Sequence, residues 1–218
     1  MTLQGLFITF EGGEGCGKTT QIQKLADRIK TIISVPFVVT REPGGVPAAE
    51  LIREILINGD TETWRATTEA LLMSAARHEH VEQIIRPVLA ESGLVLSDRY
   101  VDSTIVYQGI VGGVSADNIA AMNKIGCGDI YPDVTIVLDI NSQIGLARAK
   151  LRGGREDRFE AKGHTYHENV RAGFLEIAAN EPSRCVVIDA DREPDEISAD
   201  IWRVVHPHLL TSGMIRNE

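Results

Sequence analysis

The chain of 218 residues has only three cysteines, Cys16, Cys127 and Cys185, and no C-x-x-C pair. An odd, scattered set builds neither a disulfide framework nor a cysteine metal site, and it points to a reducing compartment. Long apolar runs are missing too. None approaches the roughly 18 residues of a membrane span. No basic region followed by an apolar segment opens the chain, so we expect no secretory signal and a cytoplasmic location. Positive charge is in deficit: 22 Lys and Arg against 31 Asp and Glu leave a net charge of −9. That argues against a broad nucleic-acid-binding face, though not against a local basic pocket for phosphates. Internal repeats, low-complexity stretches and linkers are absent, and this length suits one domain. The apolar share, 43%, is enough for a sizeable core.

Against these absences stands one dense motif. Gly12 to Thr19 read GGEGCGKT and match G-x-x-x-x-G-K-[ST], the phosphate-binding P-loop. An apolar strand-like run, Leu6 to Phe10, precedes it. A helical pattern follows, with Ile22, Leu25, Ile29 and Ile33 three or four apart. Glycine lets the backbone wrap a phosphate, and a helix N-terminus offers unpaired N–H donors. Gly12, Gly13, Glu14, Gly15, Cys16 and Gly17 would cradle the phosphates of a nucleoside triphosphate with Thr20. Lys18 would reach the outer phosphates, and Thr19 would hold Mg²⁺. Cys16, at a helix N-terminus, reads as a small residue tolerated in the loop rather than a reactive thiol.

Strand-like and helix-like segments alternate along the rest of the chain. Strands are expected at Leu6–Phe10, Phe37–Thr40, Leu94–Ser97, Val134–Leu138 and Cys185–Ile188. Helices are expected from Lys18 to about Ile33, from Pro47 to about Leu56, and from about Thr67 to Glu91 with a kink at Pro87. Ser115 and Ser142 read as N-caps, the second for a helix to about Leu151. Another helix should end near Asn180, and a last one should run from Pro194 to Leu210. Residues 152–163, basic and nearly free of apolar side chains, read as a mobile lid. Residues 211–218 read as a frayed polar tail beyond a single domain of residues 1–210. The fold class is α/β: a P-loop NTPase with a five-stranded parallel sheet flanked by helices on both faces. The P-loop, Arg41 and the Asp98–Arg99 pair follow strand ends and should converge in one cleft.

A P-loop alone leaves GTPase, ATPase and small-molecule kinase open. The guanine-reading N-K-x-D is missing, because Asn123-Lys124-Ile125-Gly126 lacks the aspartate. Arg41, Arg77 and Arg99 exceed what a P-loop needs and suggest a second phosphate-bearing ligand. Arg77 taken alone reads rather as an exposed helix arginine, whereas Arg41 and Arg99, directly after strands, read as lining the crevice. Asp98, at a strand end, can hold Mg²⁺ or cap a helix. The pairs His78/His80 and His206/His208 have a spacing that does not share a helix face, so a helical metal site is not expected.

Together, EGCGKTTQ, TREPGG at Thr40 to Gly45, DRYVDST with YQG from Asp98 to Gly109, PDVTIVLD at Pro132 to Asp139, and RFE after an arginine-rich loop resemble the bacterial thymidylate kinases. The resemblance spans about residues 5–205. It implies transfer of a phosphoryl group from ATP to dTMP with Mg²⁺, a homodimer, and a cis peptide before Pro43. It places Arg41, Arg77 and Arg99 on the dTMP phosphate region and Glu11 on the sugar 3′-hydroxyl. Tyr100, Gln108 and Thr104 would shape the sugar and base pocket. The P-loop here has no arginine, which fits the subgroup that carries its catalytic arginine in the lid. Arg155 or Arg152 would act on the transferring phosphoryl group, a role that can be worth about 10³–10⁵ in rate. Arg158 would secure the closed lid, and Arg148 would stack on adenine. The chain departs from the family at Met73, where phenylalanine usually covers thymine. A thioether covers a ring less rigidly, so a weaker preference for thymine over uracil is expected. A kinase for another nucleoside monophosphate such as dUMP, or a P-loop regulatory module, are the other readings.

Overall fold

The computed structural model describes residues 4–152 and 158–216. Five parallel strands form one sheet in the order β2-β3-β1-β4-β5. They are β1 (Leu6–Glu11), β2 (Phe37–Arg41), β3 (Leu94–Asp98), β4 (Val134–Asp139) and β5 (Cys185–Asp189). The register sets Phe10 beside Asp98 and Asp98 beside Arg41. The carboxyl ends of the three strands that carry site residues are therefore level.

Every residue of β1 is buried, as expected for a central parallel strand covered on both faces. On one face, Leu6, Ile8 and Phe10 pack with α1 (Lys18–Ile29) and α9 (Pro194–Thr211), through Ile22, Leu25, Ile197 and Ile201. On the other face, Phe7 and Val95 meet Val81, Ile85, Tyr100 and Val101. Val137 and Cys185 meet Val170, Phe174 and Ile177 of α8 (His164–Asn180). Helices α2 (Pro47–Ile57), α3 (Ala66–His80), α4 (Arg86–Ala90), α5 (Val101–Thr104), α6 (Ala116–Cys127) and α7 (Ser142–Arg152) complete the layers.

Several local expectations change. The first helix stops at Ile29, not Ile33. Between α3 and α4 the chain passes through a π-turn, Val81–Ile85, in which Arg86 N–H reaches Val81 O. Pro87 has no N–H and its ring crowds the carbonyl four residues back, so the wider turn ahead of it absorbs the misfit. A second π-turn, Ile105–Ile110, continues α5 through Gly109. Ser115 caps α6 as expected. Ser142 does not cap α7: Asn141 Oδ1 accepts the Gln143 N–H at 2.9 Å, and Ser142 donates instead to Glu168. Residues 211–216 pack rather than fray. Met214 joins the core, and Ser212 O accepts the Gln4 N–H at 3.2 Å.

Candidate active site

Strand β1 delivers the chain into the P-loop at Gly12, whose φ of 132° only glycine adopts readily. Gly17, also left-handed, opens α1. The Lys18 ammonium turns back over the loop, donating to Gly12 O at 3.2 Å and Gly13 O at 3.1 Å, beside Cys16 Sγ. An ammonium has three donors, and here all three stay within the loop, the third on Cys16 Sγ at 3.6 Å, the weakest acceptor of the set. Thr19 Oγ1 donates to Asp98 Oδ2 at 3.3 Å. This pair of hard oxygen donors beside the phosphate loop suits Mg²⁺, which takes few protein ligands and completes its shell with water and phosphate. Among the described residues no cluster of three or more His, Cys, Asp or Glu forms an all-protein metal cage.

One cavity of about 1090 Å³ runs across the carboxyl edge of the sheet. Glu14 through Thr20 line one part of it, with Arg148 alongside. Arg41, Pro43, Met73, Arg99, Tyr100, Thr104 and Gln108 line another, and Asp98 sits between. The level register and the π-turn at Ile105–Ile110 explain the second part. Thr104, Tyr107 and Gln108 all reach the cavity from one short helical segment.

Arg99 anchors this wall. Its backbone is left-handed at φ 71°. The guanidinium donates to Gly12 O at 3.1 Å, Ser103 Oγ at 3.1 Å and Glu14 Oε1 at 2.7 Å. Tyr107 Oη adds a bond to the same Glu14 oxygen at 3.0 Å. Burial pushes the Glu14 carboxyl up, but Arg99, Lys18 and the Tyr107 bond outweigh it and hold it down at about 2. A fixed anion therefore lies where the P-loop meets Arg99 and Tyr107 on the cavity wall.

Glu11, expected to meet the sugar, is elsewhere. It is fully buried and is not part of the cavity wall. Its carboxylate accepts Tyr100 N–H at 2.8 Å and Ser103 Oγ–H at 2.7 Å, tying the turn after β3 to β1. Burial first, and Asp102 second, raise its pKa to about 7 against the pull of Arg99 and these bonds. Of the two acids, Glu14 is the one that lines the cavity.

Arg77 is also displaced from its expected place. It is buried behind the wall, bonded through Nε to Glu42 Oε2 at 2.8 Å, through Nη1 to Asn123 Oδ1 at 2.9 Å, and through Nη2 to Tyr100 O at 3.0 Å and Thr104 Oγ1 at 2.9 Å. Four of its five N–H groups are engaged, so it holds the acceptor wall rather than gripping a phosphate there. Glu42 also meets His80 Nδ1 at 3.0 Å, and His80 Nε2 meets Thr40 Oγ1 at 2.6 Å. Glu42, Ser103, Tyr107 and Glu69 carry weight that the sequence reading did not give them. Glu42, Ser103 and Tyr107 were within reach of it, since they fall inside the TREPGG, DRYVDST and YQG motifs.

The remaining expectations sort as follows. The Glu42–Pro43 peptide is cis. Arg41 lines the cavity at the surface, held by Glu50 at 3.0 Å. Met73 is half-buried in the wall and packs towards the cluster around Tyr107 and Phe174. Arg148 donates to Ala190 O at 2.9 Å and Asp191 Oδ1 at 3.0 Å at the donor end. Arg158 is buried and bonded to Glu69 and to Leu56 O at 2.6 Å, so it fastens the chain to α2 and α3. Arg155 lies outside the described residues, as does the side chain of Arg152.

A P-loop at the edge of a five-stranded parallel sheet, sharing one cavity with a second arginine-lined wall, defines a P-loop phosphotransferase with separate donor and acceptor positions. The comparisons narrow this class. Residues 10–201 match the family described as Thymidylate kinase. The chain is 54% identical to a thymidylate kinase of Caulobacter vibrioides, over 94% of this chain and 98% of that one. It is 47% identical to that of Magnetococcus marinus, over 96% and 100%. A crystal structure of thymidylate kinase from Ehrlichia chaffeensis superposes with a TM-score of 0.77 at 32% identity, covering 93% of this chain and 99% of that one. The chain belongs to the thymidylate kinase family.

Proposed function

We propose that the chain carries out the reaction of its family, moving the γ-phosphoryl group of ATP onto dTMP to give dTDP and ADP. The observation that carries this reading is the single cavity in which Lys18 and Thr19 share space with Arg99, Glu14, Met73 and Gln108. Donor and acceptor phosphates can then lie in line, and phosphoryl transfer needs positioning and charge neutralisation more than covalent help.

In this division of labour the P-loop N–H groups and Lys18 hold the ATP phosphates. Thr19 and Asp98 would hold Mg²⁺, which neutralises phosphate charge when bound. Arg99 and Arg41 serve the acceptor phosphate region. Glu14, ionised across the physiological range, accepts a hydrogen bond from an acceptor sugar hydroxyl. Tyr100, Thr104, Gln108 and Met73 surround the base, and Arg77 positions Tyr100 and Thr104. Arg152 or Arg155 of the lid supplies the arginine for the transferring phosphoryl group, and Arg158 anchors the lid's end. We place the enzyme in the cytoplasm as a homodimer. Among the described residues no helix is long and apolar enough to cross a membrane.

Met73 in the wall favours a second reading, in which dUMP is also accepted. ADP release from Mg-ATP against dTMP, dUMP, CMP, dCMP, AMP, GMP and thymidine tests both. Turnover with dTMP alone supports the first, and comparable dTMP and dUMP turnover supports the second. ATP binding without turnover of any acceptor would overturn both in favour of a regulatory module.

A further inference from the structure

Three buried side chains from distant parts of the chain meet beside the acceptor wall. Gln108, 1% exposed, donates from Nε2 to Glu69 Oε2 at 2.9 Å. The other Glu69 oxygen takes Arg158 Nη2 at 2.5 Å. Arg158 is itself fixed by Leu56 O at 2.6 Å and Thr61 O at 3.3 Å, and its own N–H donates to Ile57 O at 3.2 Å. Glu69 thus has one oxygen committed to a buried guanidinium and the other to the Gln108 amide.

A carboxylate only accepts hydrogen bonds, so the Gln108 amide has one permitted orientation, with nitrogen towards Glu69. Its carbonyl oxygen is then what the side chain offers to the cavity that Gln108 lines. An oxygen there rewards a ring N–H. A ring that presents a nitrogen lone pair at the same point sets two acceptors against each other, which a buried site tolerates poorly.

We infer that Glu69 is a specificity-determining positioning residue: held by Arg158, it fixes the Gln108 amide so that the site accepts imide pyrimidines, which carry an N3–H, and rejects 4-amino pyrimidines. This rests on the dTMP-kinase reading above and adds to it the residue that sets base discrimination without touching the base. It also ties discrimination to Arg158, whose bonds to Leu56 O and Ile57 O hold it on α2.

The test compares dTMP with 5-methyl-dCMP, which keeps the 5-methyl group and sugar but replaces the imide by a 4-amino pyrimidine. Both kcat/KM values are measured for the wild type, Glu69→Gln and Glu69→Asp. In Glu69→Gln the new amide can accept or donate, so the Gln108 amide is free to reverse. The dTMP preference should fall by about tenfold or more, and Glu69→Asp should retain most of it. An equal loss on both substrates, with the ratio unchanged, would make Glu69 merely structural and overturn the inference. Should Glu69→Gln not fold, the wild type decides. One Gln108 side-chain amide proton should be shifted downfield and slow to exchange in an assigned nitrogen-15 spectrum, and a free-amide position and rate would overturn the inference. Failure of the wild type to phosphorylate dTMP is a different result, because it removes the functional reading itself.

Discussion

Glu11, at the end of β1, and Glu14, in the P-loop three residues on, titrate in opposite directions. Glu11 has no exposure, and its pKa rises to about 7, whereas that of Glu14 falls to about 2. From pH 4.5 to 7 the folded state holds the Glu11 proton that the unfolded chain has released, so stability falls as pH rises across that window. From pH 4.5 down to 2 the unfolded chain binds the Glu14 proton first, so stability falls as pH drops. Glu11→Gln keeps the acceptor for Tyr100 N–H and stays neutral. Denaturant titrations should therefore show the variant gaining on the wild type by about 3 kcal/mol between pH 4.5 and 8. Parallel profiles would mean that Glu11 does not bear this charge cost. The sequence displayed both acids, yet which one faces the cavity depends on the turn at Gly12. A pattern of residue types does not carry that φ value.

Long elements with clear apolar spacing were legible, because burial of one face or both is what that spacing records. The two π-turns were not, since a widened turn leaves the same residues apolar and moves only their direction. The approach of α7 to the P-loop was hidden for a related reason. A β-carbon on Gly145 would come within 2.4 Å of Glu14 O, and one on Gly15 within 1.8 Å of Gly145 O. The two backbones touch directly, which no spacing rule announces. Gly145→Ala must push α7 away from the loop or distort the loop. We expect a loss of about 1–3 kcal/mol in stability and a raised KM for ATP with a smaller change in that for dTMP. Thermal melts and steady-state kinetics check this, and equal effects on both KM values would remove the P-loop from the explanation.

At the scale of the whole molecule, the catalytic edge is held by side chains that cross between layers. Arg184 binds Asp102 with two bonds, at 2.8 and 3.0 Å, and Thr135 at 2.6 Å, linking the start of β5 to α5 and β4. Arg77 links α3 to the turn before β2's neighbouring helix through Glu42, and to α6 through Asn123. The motifs named most members of the cavity wall, but the buried polar groups that brace it come from unrelated stretches and meet only in the fold. Helix α3 is central to this bracing. It carries Glu69, Met73 and Arg77 inward, and it packs against α2 and α6. These three helices also expose Leu51 (66%), Leu71 (55%) and Ile125 (76%). Single exposed apolar residues are ordinary, whereas several on adjoining helices suit a contact between copies. We place the interface of the proposed homodimer on these helices. Sedimentation equilibrium at micromolar concentration should give about twice the chain mass of 23.8 kDa, and Leu71→Glu should shift the population to monomer. Because α3 also carries Met73, that monomer should show a raised KM for dTMP while ATP binding is kept. A wild type that sediments as a monomer at every concentration would remove the dimer, and a dimer indifferent to Leu71→Glu would place its interface on another face.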